Sequence, residues 1–343
     1  MINKAAQGGA AEGDEQPLIA SVFAELADGE FHSGEQLAET LGVSRSAVWK
    51  TVESLRGLGA TLQAVRNRGY RLRSGSDALD SGRITGLLPP TVRGHVHSVE
   101  TAWTVDSTNS VLLARQNPSF GTSDVLLAEY QTAGRGRRGR AWVAPPGGSI
   151  CLSLSWAFRD VPQDLGALGL VIGVCALRAL RESGLEDTRL KWPNDLVIEG
   201  KKLGGILIEL RAESAGPACV VIGIGLNVAL GAQQLERIGE TGVSPTDLVT
   251  AGLQQPSRNA LAAVLVTQFV RGLLAFEKEG LKPFAEEWRA ADALRGRQID
   301  VHTLEGVARG LARGIDLHGA LVVETPNGIR RFISGDVTVR AVE

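Results

Sequence analysis

Residues 191–210 read KWPNDLVIEGKKLGGILIEL. A short apolar strand is stopped by Pro193 and turned by Asn194 and Asp195, residues that favour tight turns. A second turn falls at Gly200 and Lys201, and an apolar strand follows over 206–210. The stretch therefore places strands side by side in a sheet. Turn chemistry accounts for Pro193, Asn194, Asp195 and a solvated Lys201, but not for Lys191 at a strand end. Lys202 stands just before the apolar strand, from where its ammonium can project along the sheet into a cleft. Working outward, apolar strands are predicted at 125–128, 150–156 and 220–224, with long apolar helices over 167–182 and 261–279. Strands with segregated helices over 91–292 predict an α+β layer with helices on one face of the sheet.

Composition bounds the rest. The 343 residues are 43% hydrophobic and 22% charged, enough for two or three domains with real cores. A net charge of −2 excludes a globally cationic polyanion binder, so any attraction for nucleic acid must be local. No run of about 18 apolar residues offers a membrane span. The first fifteen residues, MINKAAQGGAAEGDE, lack the basic-then-apolar plan of a signal peptide and read as a disordered tail over 1–15. Cys151, Cys175 and Cys219 lie far apart among apolar residues. That spacing suits neither zinc nor a disulfide framework, and they read as buried free thiols in a reducing cytoplasm.

Residues 16–75 read as a winged helix-turn-helix. Leu18, Val22 and Leu26 share one helical face, and Ser33 with Gln36 forms a capping box before Leu37 and Leu41. Gly42 stops that helix, and Ser44 caps a third with Val48, Val52 and Leu55 inward. Strands at 62–65 and 70–72 enclose a turn at 66–69, the wing. Residues 14–40 carry seven acids and no Lys or Arg, whereas 45–73 carry seven basic residues against the single acid Glu53. A duplex would meet one positive face. Arg45, Ser46 and Lys50, early in the third helix, are placed for base edges, and Arg66 and Arg68 in the wing for phosphates. A protein-docking winged helix is the alternative. Residues 76–90, Ser/Gly-rich and closed by two prolines, read as a linker.

Three further constellations lie in the central part. Asp106, Ser107, Thr108 and Asn109 stand between an alternating strand and a helix. Capping alone accounts for such residues, but clustered hydroxyl and amide groups also suit a neutral polar head such as a urea. Residues 134–140, GRGRRGR, hold four arginines and three glycines, and 130–159 contains no Asp or Glu. An arginine-rich tract suits nucleic acid; a glycine-hinged loop suits one small anion. The tract sits inside a domain, at a strand end, flanked by Gln131, Trp142 and the PPGG of 145–148, which favours the small anion. Residues 220–227, VVIGIGLN, add glycines that let a ligand lie against backbone.

In this order the motifs resemble one family, the biotin–protein ligases, and within it the bifunctional type that also represses biotin synthesis genes. GRGRRGR, KWPND and KKLGGIL carry the resemblance, which runs from about residue 17 to the end. Lipoate–protein ligases share the catalytic fold but are not expected to carry the arginine–glycine loop. The resemblance implies an α+β chain: the winged helix, a catalytic domain over 91–292 and an SH3-like domain over 293–343. It implies that biotin and MgATP form biotinyl-5′-adenylate and pyrophosphate, after which a lysine of a biotin carboxyl carrier protein takes the biotin. Ser107, Thr108 and Asn109 would hold the biotin head, with Gln131 lining the same pocket. Arg135, Gly136 and Arg137 would close over the acyl phosphate, and Lys202 would reach carboxylate and phosphate oxygens. Asp195 would accept the proton of the incoming lysine or orient it. Arg135, Arg137, Arg138, Lys191, Asn194 and Asn227 would lie at the nucleotide. Mg2+ would arrive with ATP, and no residue spacing suggests a metal held by the protein. The implied partners are the acetyl-CoA carboxylase carrier subunit, operator DNA and a second copy of the chain once the adenylate is bound.

Two alternatives stand beside this reading: a ligase with a vestigial DNA-binding domain, and a biotin-sensing transcription factor without transfer activity. Sensing needs no acyl-phosphate chemistry, so Lys202 together with the full arginine loop argues against the sensor. One segment departs from the family. A tryptophan that packs on adenine is expected before the helix at 261, where this chain reads GVSPTDLVTAG with Pro245. Beyond 295, alternating apolar residues and turns at 303–306, 318–319 and 325–328 predict short strands of a small β-barrel. His95, His97, His302 and His318 have no metal-ligand spacing and read as structural or exposed.

Overall fold

The computed structural model describes residues 12–72, 77–160, 162, 164–211, 218–240, 244–303, 306–333 and 338–341. The front domain comprises α1 (Glu12–Leu26), α2 (Gly34–Leu41), α3 (Arg45–Gly57), β1 (Leu62–Val65) and β2 (Gly69–Leu72). The local signals act as expected: Ser33 and Gln36 form the capping box, Gly42 ends α2 in the left-handed region, and Ser44 caps α3. Val22, Phe23, Leu26, Leu37, Val48, Val52 and Leu55 close the core. α1 begins at Glu12, inside the stretch expected as a tail, and carries Pro17 within it. The His32 and Tyr70 backbones exchange hydrogen bonds of 2.9 and 2.8 Å, adding a short third member to the wing.

The stretch expected as a linker is largely helical. α4 (Ser81–Leu87) and α5 (Pro90–Arg93) follow an Asp80 cap, and Leu79, Ile84, Leu88 and Val92 are buried in the central core. Its entry is clamped by the N-terminus of a later helix. Asp77 accepts hydrogen bonds from the Arg258 backbone N–H at 2.8 Å, Ser257 Oγ at 3.0 Å and Asn259 Nδ2 at 2.8 Å. The Arg258 side chain, fully buried, pairs with Glu129 at 2.7 Å and also donates to the Asp77 carbonyl. Glu129 in turn accepts from Leu79 N–H at 2.7 Å. A buried arginine persists only when its charge is paired; here both terminal nitrogens are bonded and Nε lies 3.8 Å from Asp77 Oδ1 without a hydrogen bond.

The central domain continues with β3 (Val96–Val105), α6 (Thr108–Ala114), β4 (Ser123–Gln131), β5 (Ser149–Ala157), α7 (Leu168–Glu182), β6 (Arg189–Lys191), β7 (Asp195–Ile198), β8 (Lys201–Arg211), β9 (Cys219–Asn227), α8 (Ala232–Gly239), α9 (Arg258–Glu279) and α10 (Ala285–Ala291). The seven strands run in the order β3-β4-β5-β9-β8-β7-β6, parallel only between β3 and β4. The sheet has two unlike faces because strand side chains alternate. Ile150, Leu152, Leu154, Trp156, Val220, Ile222, Ile224 and Leu226 face α7 and α9 in one core. Cys151, Ser153, Gly223, Gly225 and Asn227 occupy the intervening positions and look the other way. The short α6 packs on that second face through Leu112, against Leu126 and Val221. The long helices thus lie on one face as expected, and α6 joins the polar one.

α9 is long and apolar enough to cross a membrane by length and composition, but two-thirds of that stretch is buried against the protein (67%). β10 (Gln298–Thr303), β11 (Gly306–Ile315), β12 (Leu321–Thr325), β13 (Gly328–Phe332) and β14 (Thr338–Ala341) form an antiparallel sheet in the order β13-β12-β11-β10-β14. Trp192 anchors this domain, its indole N–H donating to the Gly319 carbonyl at 3.2 Å. The winged helix is docked on the centre through Phe23 against Trp103, ring centroids 5.2 Å apart, and through Thr61 Oγ donating to the Leu230 carbonyl at 3.2 Å.

Candidate active site

The polar face of the sheet builds the site. At the start of α6, Ser107 occupies the cap position, yet its side chain makes no capping bond. Capping therefore does not explain this cluster. Ser107, Thr108 and Asn109 are all buried, at 3%, 4% and 3% exposure. Gln131, at the end of β4, accepts from the Thr108 N–H at 2.8 Å and its hydroxyl at 3.1 Å. The Ser153 hydroxyl lies 2.7 Å from Thr108 Oγ1 and 2.5 Å from Asn109 Oδ1. Asn109 Nδ2 donates to Glu209 Oε2 at 2.8 Å. Three of the four expected head-binding side chains, Thr108, Asn109 and Gln131, thus form one network that runs on to Ser153 and Glu209. Ser107 is buried next to Thr108 in the chain, its backbone N–H donating to Asp106.

Glycines clear the floor. A Cβ on Gly223 would sit 2.4 Å from Asn109 Oδ1, and one on Gly225 would sit 2.3 Å from the Trp142 ring. The VVIGIGLN strand is thus bare where the amide and the indole lie on it. Beneath the indole, burial pushes the Cys151 thiol up to about 12. Such a thiol is inert.

The arginine–glycine stretch folds back on itself as a short hairpin. Gly136 N–H donates to the Arg140 carbonyl at 2.7 Å, and Trp142 N–H to the Gly134 carbonyl at 2.8 Å. Residues Arg137–Gly139 make one tight turn, with Arg138 in the left-handed region at φ 58°. Arg135 is turned back to the sheet, donating to Glu209 at 3.0 and 3.1 Å and to Ser110 Oγ.

Lys202 reaches the same face by a register shift. Asp195 pairs with Gly205 and Leu196 with Gly204, but Val197 pairs with Lys202, leaving Leu203 as an extra residue. A one-residue slip changes the face a side chain takes. Lys202 Nζ lies 2.7 Å from Asp195 Oδ1 and 6.0 Å from the centre of the Trp142 ring. Its strand also starts earlier than expected, at Lys201, and residues 244–246 are strapped alongside. Lys202 N–H donates to the Ser244 carbonyl at 2.7 Å, and Thr246 N–H to the Lys202 carbonyl at 2.9 Å. Pro245 therefore lies directly beside Lys202, and the described part of this strap, from Ser244 to Thr246, supplies no aromatic ring. Residues 241–243 lie outside the described residues.

Two expected nucleotide contacts also bond to backbone through their amide nitrogens. Asn194 Nδ2 donates to the Ile206 carbonyl at 2.6 Å, latching the strand that carries Lys202. Asn227 Nδ2 donates to the Thr246 carbonyl at 2.9 Å, while its Oδ1 is buried without a hydrogen-bond partner. Lys191 sits opposite Asp195 in the β6–β7 register. Sequence reasoning missed Ser110, Ser153 and Glu209. The signal for Ser153 and Glu209 was a polar residue inside an otherwise apolar strand, as in CLSLS and ILIEL; Ser110, on α6, had no such signal. Among the described residues, no group of three or more His, Cys, Asp or Glu is placed to hold a metal ion.

The second functional surface is the front domain. Arg45, Ser46, Lys50 and Arg66 are exposed. Trp49, not singled out by the sequence reading, stands 55% exposed between them on α3. The guanidinium groups of Arg68 and Arg71 lie over the Phe31 ring at 4.2 and 4.5 Å, pinning the wing to the α1–α2 turn.

A winged helix joined to a mixed sheet, with cationic groups gathered on the sheet's polar face, defines a DNA-binding module fused to a ligase-type catalytic domain. Comparison with known proteins agrees part by part. Residues 102–227 match the biotin/lipoate A/B protein ligase family, 21–71 an HTH domain, and 295–340 the biotin protein ligase C-terminal domain. The bifunctional ligase/repressor BirA of Escherichia coli is 38% identical, covering 94% of this chain and 97% of its own length. BirA of Bacillus subtilis is 33% identical over 91% of this chain and 94% of its own. The biotin protein ligase of Aquifex aeolicus, solved with biotin and ATP, superposes with a TM-score of 0.60 at 27% identity, covering 72% of this chain and all of that one. This chain belongs to the biotin protein ligase family, in its bifunctional ligase/repressor branch.

Proposed function

We infer that the chain activates biotin with MgATP, transfers it to a lysine of a biotin carboxyl carrier protein, and represses transcription in response to the intermediate. The observation that carries the catalytic reading is the Asp195–Lys202 pair, 2.7 Å apart on the polar face beside the arginine hairpin. In the first step a biotin carboxylate oxygen attacks the α-phosphorus of ATP and pyrophosphate leaves. Two anions must approach, so a cation has to offset their repulsion and the charge developing on phosphorus. Lys202 serves there, exchanging Asp195 for carboxylate and phosphate oxygens. Arg137 and Arg138, at the hairpin tip, close over the acyl phosphate and exclude water from it. In the second step the carrier amine attacks the acyl carbon, AMP leaves, and the amine proton passes to Asp195, released from Lys202 by the first step. Mg2+ enters as the ATP complex and neutralises phosphate charge.

The head of biotin is assigned to Ser107, Thr108, Asn109 and Gln131, with Ser153 completing the network. Beyond the arginines, Asn227, with its unsatisfied Oδ1, and Lys191 are assigned to the nucleotide, and Asn194 holds β8 beside it. Pro245 beside Lys202 fits the adenine end of the site but offers no stacking surface. We further propose a cytoplasmic enzyme, in keeping with the three buried free thiols, and a homodimer once the adenylate is bound. Operator DNA is read by α3 and the wing.

Incubation with biotin, ATP labelled at the α-phosphate and a purified carrier domain tests the catalytic reading. The expected products are labelled biotinyl-adenylate, then labelled AMP and biotinylated carrier. Biotin binding with neither product would leave the sensor reading.

A further inference from the structure

The glutamate on β8 belongs to neither group of residues the chemistry assigns, yet it touches both. Glu209 Oε2 accepts from Asn109 Nδ2 at 2.8 Å, and its two oxygens lie 3.0 and 3.1 Å from Arg135 Nη2. Asn109 belongs to the head pocket, and Arg135 to the base of the hairpin that covers the phosphate. We propose that Glu209 is a positioning residue that sets both. It fixes which way the Asn109 amide points and ties the hairpin base to the sheet, so that closure is left to the tip. The inference rests on reading this pocket as the biotin site.

The argument on Asn109 is one of donor and acceptor inventory. An amide can face either way, and its neighbours choose. A carboxylate only accepts, so the nitrogen of Asn109 must face Glu209. Its oxygen is then turned to the Ser153 hydroxyl, 2.5 Å away, over the bare backbone of Gly223. The pocket therefore presents an acceptor, which suits the N–H groups of a ureido ring. With a neutral amide at 209 only the longer contact of Asn109 Nδ2 with the Leu207 carbonyl, 3.4 Å, still favours this orientation, and the pocket's polarity is weakened.

The argument on Arg135 is one of division. Arg135 is held by Glu209 and Ser110, and the antiparallel bridge between Arg135 and Ala141 closes the hairpin just above it. The moving part begins after that bridge. The ordering cost on ligand binding is then borne by the five residues from Gly136 to Arg140 rather than the whole loop, which favours tight closure.

Two variants, Glu209→Gln and Glu209→Asp, test this in the full chain. Biotin binding without ATP is followed by calorimetry, transfer from preformed biotinyl-adenylate by single turnover, and hairpin exposure by limited trypsin digestion. Glu209→Gln is expected to weaken biotin at least tenfold and to open cleavage after Arg135, with a smaller loss in the transfer rate at saturation. Glu209→Asp keeps an acceptor and should fall between parent and Gln in both binding and cleavage. A merely structural role would move the melting temperature without this split. Parental biotin affinity and parental cleavage in Glu209→Gln overturn the proposal. A parent that fails to bind biotin at all overturns the reading of the pocket and this inference with it, a separate result.

Discussion

Asp195 Oδ1 and Lys202 Nζ meet at 2.7 Å across neighbouring strands, and they meet only because Leu203 is an extra residue in the β7–β8 pairing. Without that bulge Lys202 would share the face of Gly204, against the hydrophobic core. The pair joins the residue assigned to the first step with the one assigned to the second, so each is masked until the other is needed.

Lys202→Ala should lower the rate of biotinyl-adenylate formation by about 100-fold or more, the usual effect of deleting a group that stabilises charge in the transition state. Its effect on stability should be small, because partly exposed ion pairs contribute roughly 0–1 kcal/mol. Asp195→Asn should leave pyrophosphate release within a few-fold of the parent and slow transfer to the carrier. Pyrophosphate release and single-turnover transfer, measured side by side, separate the two; an equal loss of the first step in both variants removes the division of roles.

Arg137→Gly should let the intermediate escape. A cation at the hairpin tip retains the acyl phosphate after it has formed, so its loss affects retention more than synthesis. Lysines of unrelated proteins added to the reaction should then become biotinylated. Unchanged acceptor selectivity with normal retention would sink the assignment.

On DNA, Arg66→Ala should weaken binding to all sequences and flatten the salt dependence by about one or less, as for the loss of one phosphate contact. Arg45→Ala should relax sequence preference instead. Arg68→Ala carries a second cost, because its guanidinium lies 4.2 Å from the centre of the Phe31 ring and such contacts contribute about 0.5–1 kcal/mol. Titration of a fluorescent fragment of the upstream region, with and without biotin plus ATP, reads all three. Equal, weak binding in both states would indicate an enzyme with a vestigial DNA-binding domain.

Stability should carry a pH signature from Asp292, at the entry to the C-terminal domain. Burial pushes its carboxyl up to about 6, against the backbone N–H groups of Leu294 and Arg295, which lower it. Its Oδ2 is buried without a hydrogen-bond partner. A raised carboxyl means that the folded chain holds the proton more tightly than the unfolded one, so this group's contribution falls as pH rises from about 4 to about 6 and stays unfavourable above that. Asp292→Asn should therefore stabilise the protein at pH 8 by up to about 3 kcal/mol, with little change at pH 4. Denaturant unfolding at the two pH values measures it; equal effects at both would remove burial of the charge as the cause.

The parts legible in the sequence are those whose chemistry is local. The winged helix was readable because a capping box spans three residues, a helical face repeats every three or four, and a left-handed stop needs one glycine, as at Ser33, Gln36 and Gly42. The arginine–glycine stretch and KWPND were readable because each lies within a few residues, and the resemblance they carry extends to the reaction. The tertiary structure decided whatever depends on register between distant strands. Glu209 meets Asn109 across 100 positions, and Arg258 buries its charge against Glu129 across 129, so that the supposed linker becomes part of the core. No local pattern announces such pairs, because a strand position faces pocket or core according to its partner's alignment, and one bulged residue reverses it. The sequence determined which chemical groups are present; the pairing of the sheet determined that Lys202, Glu209 and Asn109 face the same side of it.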